Sequence, residues 1–200
     1  MSVNMHDDQL FFAPLWGRTA TFLLEDRQAN LNFACTAIGL LGQSSHTAEI
    51  LDLDAFYASN SNRIFRFLGS PAKATLRIPE PGAVVECEFA KVFESNEGVV
   101  IIDSLNSFYH LISQEDGSSR NRKLNFAIAS LAYLARTNGR AVILPMYRRE
   151  NLARWGNARS ISGLSDITAS VYTRRQELFI KVERGPGWEG GVFSTRIPSG

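Results

Sequence analysis

The sequence predicts an α/β fold in which a mostly parallel central sheet is flanked by helices and completed by antiparallel C-terminal strands. Three observations predict it. Gly98-Val99-Val100-Ile101-Ile102-Asp103-Ser104-Leu105 is a continuous β-branched run without alternation, the pattern of a strand buried on both faces inside a parallel sheet. Strand-like and helix-like segments alternate along the first two thirds of the chain. The final third changes to alternating strands separated by polar turns, the pattern of an antiparallel ending.

The elements follow in order. Residues 19–24 form a short apolar strand after Gly17, and residues 28–41 read as a helix with Leu31, Ala34, Cys35, Ile38 and Leu41 on one face. Residues 49–54 make a second strand ending in two carboxylates, and 60–68 a short helix with Ile64, Phe65 and Leu68 inward. A third strand, 74–78, is stopped by Pro79 and Pro81. A weaker helix, 84–93, places Val85, Phe89 and Val92 together. After the Val/Ile strand, residues 118–136 carry the clearest helical stripe, stopped by Asn138-Gly139. Residues 141–144 are another buried strand, ended by Pro145, and 167–172, 178–183 and 192–197 supply the antiparallel end.

Two hundred residues suit one domain, with 1–17 as an N-terminal extension and 165–200 as the antiparallel β end. Hydrophobic content of 44% against 20% charged residues is globular rather than disordered. A net charge of +1 means that any nucleic-acid site must be a local patch. Cys35 and Cys87 lie in apolar helical patterns without metal-ligand spacing and read as buried free thiols. His6, His46 and His110 are scattered, so neither a metal site nor a histidine catalyst is expected. No run reaches about 18 apolar residues, and the start lacks a basic-then-apolar leader. The expected location is therefore cytoplasmic, with no membrane partner.

The order of these parts resembles the ATPase core of the RecA/RadA/KaiC superfamily over nearly the whole chain. The resemblance rests on Asp52-Leu53-Asp54 as a strand ending in an Asp-x-Glu-like motif and on Val99 to Ser104 as a Val-Val-Ile-Asp-Ser-like strand. It continues with the long helix that stops at Asn138-Gly139, the strand at 141–144 and the Arg/Lys-bearing hairpin of 169–184. It implies a RecA-like core with Asp54, Asp103 and Ser104 at the nucleotide site.

The departures bear on activity. A phosphate loop needs two glycines, a Lys and a hydroxyl residue to cradle phosphates and Mg²⁺. At that place stand Glu25-Asp26-Arg27-Gln28-Ala29-Asn30-Leu31-Asn32, with Leu31 in the Lys position and Asn32 in the hydroxyl position, in a loop expected to keep its length. Asp54 is one methylene shorter than the family's glutamate, and Pro145-Met146-Tyr147 offers no Asn or Gln sensor. The expectation is a pseudo-ATPase without a catalytic residue or cofactor. Asp54, Asp103 and Ser104 would then be a relic nucleotide site, with the Asp52/Asp54 pair a solvated strand end.

Such a core can still bind partners. The family's recombinases hold single-stranded DNA with two loops, which correspond here to 107–123, with Arg120, Arg122 and Lys123, and to 147–163, with Tyr147, Arg148, Arg149, Arg154, Trp155 and Arg159. Arginines for phosphates beside aromatic faces for bases are the chemistry of sequence-tolerant single-strand binding. The alternative is a protein–protein regulatory module, KaiC-like in signalling or docking on a recombinase, a paralog or copies of itself. Phe11 and Phe12 are the candidate contact, or else a lid on the chain's own core.

Overall fold

The computed structural model describes residues 2–4, 11–67, 73–112, 117–148, 163–186 and 191–196. Among these residues the centre is a sheet of nine strands in the order β1-β9-β8-β7-β2-β6-β5-β3-β4. These are β1 (Ser2–Asn4), β2 (Arg18–Leu24), β3 (Ala48–Asp52), β4 (Ala74–Arg77), β5 (Val99–Asp103), β6 (Ala141–Tyr147), β7 (Ile167–Arg174), β8 (Glu177–Arg184) and β9 (Val192–Arg196). Strands β2 to β7 run parallel, and β8 pairs antiparallel with both β7 and β9. The expected α/β architecture with an antiparallel end is the one observed.

The Val/Ile run is fully buried as β5, hydrogen-bonded between β3 and β6. Its alternate side chains enter two separate cores. Val99 and Ile101 face the helix α1 (Arg27–Gln43), while Val100 and Ile102 face α4 (Val85–Glu94), α5 (Leu105–Leu111) and α6 (Gly117–Asn138). Two four-residue helices, α2 (Phe56–Ser59) and α3 (Ser61–Ile64), lead into a 3₁₀ turn, Phe65–Phe67, that packs on α1. The C-terminal end of α1 is closed by the Lys73 ammonium, which donates to the Gly42 and Ser44 carbonyls at 2.8 and 2.6 Å. The long helix α6 stops where expected, at Gly139 with φ +65°, the left-handed position that glycine takes without a Cβ clash.

Several expectations are corrected. Strand β6 runs through Pro145 to Tyr147; its pairing with β2 continues to Leu24↔Tyr147. Helix α5 and the first turns of α6 occupy ground expected to be the first loop, 107–123. Cys35 is buried, but Cys87 is exposed on α4. Phe11 and Phe12 are only 1% and 2% exposed, packed edge-to-face on each other, with Phe11 against Phe22 and Phe33. Of the two roles weighed for them, the structure shows the lid on the chain's own core. They offer no surface to a partner. No helix among the described residues is long and apolar enough to cross a membrane.

Candidate functional site

The carboxyl ends of β3, β5 and β6 converge on the N-terminal half of α1, where an open α/β sheet places its ligands. Asp52 and Asp103 are register partners on adjacent parallel strands, so both side chains leave the same face of the sheet. Both are fully buried. Asp52 is thus a buried carboxylate and not the solvated strand end expected. Its Oδ2 accepts the Ala58 amide at 2.9 Å, which ties the start of the α2 region to the strand end.

Asp103 is held from α1. The Asn30 amide donates at 3.1 Å to Asp103 Oδ2 and at 2.9 Å to the Tyr147 hydroxyl oxygen, linking α1, β5 and β6. The Asn106 side chain accepts the Tyr147 amide at 2.7 Å, which anchors α5 to the end of β6. Ser104 is the N-cap of α5, its hydroxyl accepting the Ser107 amide at 3.3 Å. The Ser107 hydroxyl donates to Asp54 at 3.0 Å. The three residues expected at the nucleotide site, Asp54, Asp103 and Ser104, are therefore brought together, with Asp54 exposed at the rim.

The electrostatics follow from burial. Desolvation holds the Asp103 carboxyl well above the usual carboxylate range; the Asp54 and Asp52 charges add to this, and the Asn30 bond opposes it. Burial also raises Asp52, against the stabilising amides of Ala58, Tyr57 and Phe56. The Tyr147 hydroxyl is pushed up to about 12, chiefly by burial. Tyr57, fully buried, is also raised, by burial and then by Asp103 and Asp52. Asn30 Oδ1, Asp52 Oδ1, Asp103 Oδ1 and the Tyr57 hydroxyl make no hydrogen bond to the described residues. Among the described residues no three His, Cys, Asp or Glu side chains are arranged to hold a metal ion.

The expected eight-residue phosphate loop is not formed. Strand β2 ends at Leu24 and α1 begins at Arg27, so only Glu25 and Asp26 connect them. Asp26 is the N-cap, its carboxylate accepting the Ala29 amide at 2.7 Å. Glu25 forms a bidentate pair with Arg174 at 2.8 Å, and this keeps the Glu25 carboxyl below its ordinary range. Asn32 donates to Thr173 at 3.0 Å instead of facing a ligand.

Of the expected DNA-binding residues, Arg149, Arg154, Trp155 and Arg159 lie outside the described residues. Arg148 is exposed immediately after β6, at the carboxyl edge of the sheet, and Tyr147 is tied inward to Asn30. Arg120, Arg122 and Lys123 lie on the first turns of α6, where Lys123 pairs with Glu86 at 2.9 Å and Arg120 lies over the Tyr109 ring. Sequence reasoning missed Asn30, Tyr57 and Asn106, and also three exposed arginines at the same edge: Arg27, Arg174 and Arg175. Arg175 and Gln176 form the two-residue β7–β8 turn with φ +49° and +65°, so the hairpin tip holds a non-glycine pair in the left-handed region.

The fold is similar to that of RecA/RadA/KaiC-type cores. The crystal structure of the RadB recombinase superposes with a TM-score of 0.64 at 13% sequence identity, covering 94% of this chain and 92% of that one. A KaiC-like protein from the hyperthermophilic archaeon Pyrococcus horikoshii OT3 superposes with a TM-score of 0.60 at 14% identity, covering 86% of this chain and 81% of that one. At these identities the likeness is one of fold. No protein-family model matches the chain, and no curated protein matches it by sequence.

Proposed function

We propose that this chain is a non-catalytic RecA-like paralog that binds single-stranded DNA and assists a recombinase in recombination and repair. One observation carries the reading: the helix N-terminus that would cradle a triphosphate is capped by the chain's own Asp26 carboxylate across a two-residue connection. The residues present do not suit a nucleotide. Leu31 is buried inside α1 and supplies no ammonium, and Asp26 and Asp54 put negative charge at this edge, so Coulomb repulsion opposes phosphate binding. Asp103, the residue that would approach a bound metal, is engaged by Asn30.

Support for DNA comes from the same edge. Arg27, Arg148 and Arg175 are exposed around the carboxyl ends of β2, β6 and β7, while Arg174, paired with Glu25, lies 5.5 Å from the Tyr172 ring centre. Guanidinium groups beside aromatic faces suit a flexible polyanion with stacking bases. The second reading, a regulatory docking module that binds neither DNA nor ATP, is favoured by the exposed aromatics Phe126 and Tyr133 on α6.

Fluorescence anisotropy of a labelled single-stranded oligonucleotide at two salt concentrations, with and without ATP and Mg²⁺, separates the readings. The expected result is salt-sensitive binding indifferent to ATP, with each of Arg148→Ala and Arg175→Ala lowering the salt slope by about 1. ATP and Mg²⁺ should leave the melting temperature unchanged. Absence of binding at low salt removes the DNA reading, and an ATP-induced rise in melting temperature removes the pseudo-ATPase.

A further inference from the structure

The apolar surface left exposed by the described residues is concentrated on one side of the molecule. Five large hydrophobic side chains are exposed, and four of them belong to the α4–α6 layer: Val84 at the start of α4, Leu111 at the end of α5, and Phe126 and Tyr133 on α6. Between α4 and α6 lies a groove of about 500 Å³, and Phe89, Phe93 and Phe108 line it. Phe126 stands at its edge, 74% exposed. One chain therefore carries an aromatic knob and an aromatic-lined hole side by side.

The two walls differ in charge. Helix α4 carries Glu86, Glu88 and Glu94 against Lys91, whereas α6 opens with Arg120, Arg122 and Lys123. Glu86 and Lys123 already pair across the groove within the chain. Glu94, the last residue of α4, and Arg122, in the first turns of α6, are both exposed. A two-fold axis through the groove lays each copy's acidic α4 across the other's basic α6 and brings Glu94 of one copy towards Arg122 of the other. Such a surface is complementary to itself, as a closed two-fold interface requires. The net charge of +1 sets up little general repulsion between copies.

We infer that the α4–α6 groove is the contact between two copies of this chain, the Phe126 ring of each seated among Phe89, Phe93 and Phe108 of the other. The occupant is a second copy because the knob, the hole and both signs of charge are present on one surface. This surface lies on the opposite side of the sheet from α1, so the pairing leaves the carboxyl-edge arginines of Arg174 and Arg175 uncovered.

Sedimentation velocity of the full chain over about a hundredfold range of concentration tests it. The expected result is a monomer that becomes a dimer as concentration rises, while Phe126→Asp stays monomeric throughout. Because Phe126 is exposed, that variant should keep the wild-type circular dichroism and, in protein dilute enough for both to be monomeric, the wild-type melting temperature. Arg122→Glu should weaken dimerisation about tenfold, and Arg122→Glu with Glu94→Arg in the same chain should restore it. A wild type that remains monomeric overturns the inference, as does a dimer that Phe126→Asp leaves intact. A double charge reversal that fails to rescue the single one overturns the two-fold arrangement.

Discussion

On one face of the sheet α1 is buried nearly all round, whereas on the other α4 and α6 each bury a single stripe and turn the remainder to solvent. Every residue of α1 from Ala29 to Ile38 is buried, polar Asn30, Asn32 and Thr36 included, because the sheet covers one side and the segment from α3 through Phe67 covers the other. Across the sheet, Leu124, Ile128, Leu131 and Ala135 bury the inward stripe of α6, and Phe126 and Tyr133 stand 74% and 70% exposed. The difference separates two tasks. The α1 face fixes a polar network in place at the ends of β5 and β6, and the α4–α6 face presents a surface.

The comparison is broken most directly on the closed side. Phe33 is 1% exposed with its ring centre 4.6 Å from that of Phe22, so Phe33→Ala opens a cavity between α1 and β2. The expected loss is about 3–5 kcal/mol of unfolding free energy, measured by urea denaturation. A loss no greater than that of an exposed aromatic would mean that α1 is not the enclosed helix described.

The next effect lies in the network itself and depends on pH. A carboxyl held above its ordinary value by burial binds its proton more tightly in the folded chain than in the unfolded one. The stability it contributes is fully present below the unfolded value, about 3.9, and is lost as pH rises towards the folded value. Burial raises Asp103 in this way, and Asp103→Asn removes that loss while keeping an acceptor for Asn30. The variant should therefore gain on the wild type as pH rises from 4 to 7, with a slope of at most about 1.4 kcal/mol per pH unit for one proton. A stability difference that stays constant between those pH values would show that Asp103 does not keep its proton on folding.

This network was only half legible in the sequence. The Val/Ile run announced β5 and placed Asp103 and Ser104 at its end, because a strand buried on both faces has no alternation to hide. The long stripe of α6 and its Asn138-Gly139 stop were equally plain. The partners of Asp103 were not, since Asn30 sits 73 residues away and hydrogen bonds between distant segments leave no periodic trace. A signal was present: Asn30 and Asn32 interrupt an apolar helix, and a polar side chain at a buried helical position has to find a partner. The eight-residue loop expected at Glu25 to Asn32 is absent for a local reason. Asp26 is a strong N-cap and none of the eight residues is glycine, so the chain turns into helix after two residues and forms no open anion cradle. The shape of β6 misled through Pro145, which was expected to end a strand that instead continues two residues further.

The smallest effect belongs to the open side and sharpens the contrast. Tyr133 lies one residue beyond Ala132 and two beyond Leu131, both buried, yet its own ring points outward on α6. Removing it deletes little buried area, so Tyr133→Ala in dilute protein should change unfolding free energy by less than about 0.5 kcal/mol. Thermal and urea unfolding of this variant beside Phe33→Ala measure the two faces on one scale. If Tyr133→Ala were to cost as much as a core aromatic, the outer face of α6 would be part of the folded core, and its exposed rings could not serve as a contact surface. A near-zero cost instead means that folding does not require an aromatic there, so the ring is free to act as a contact.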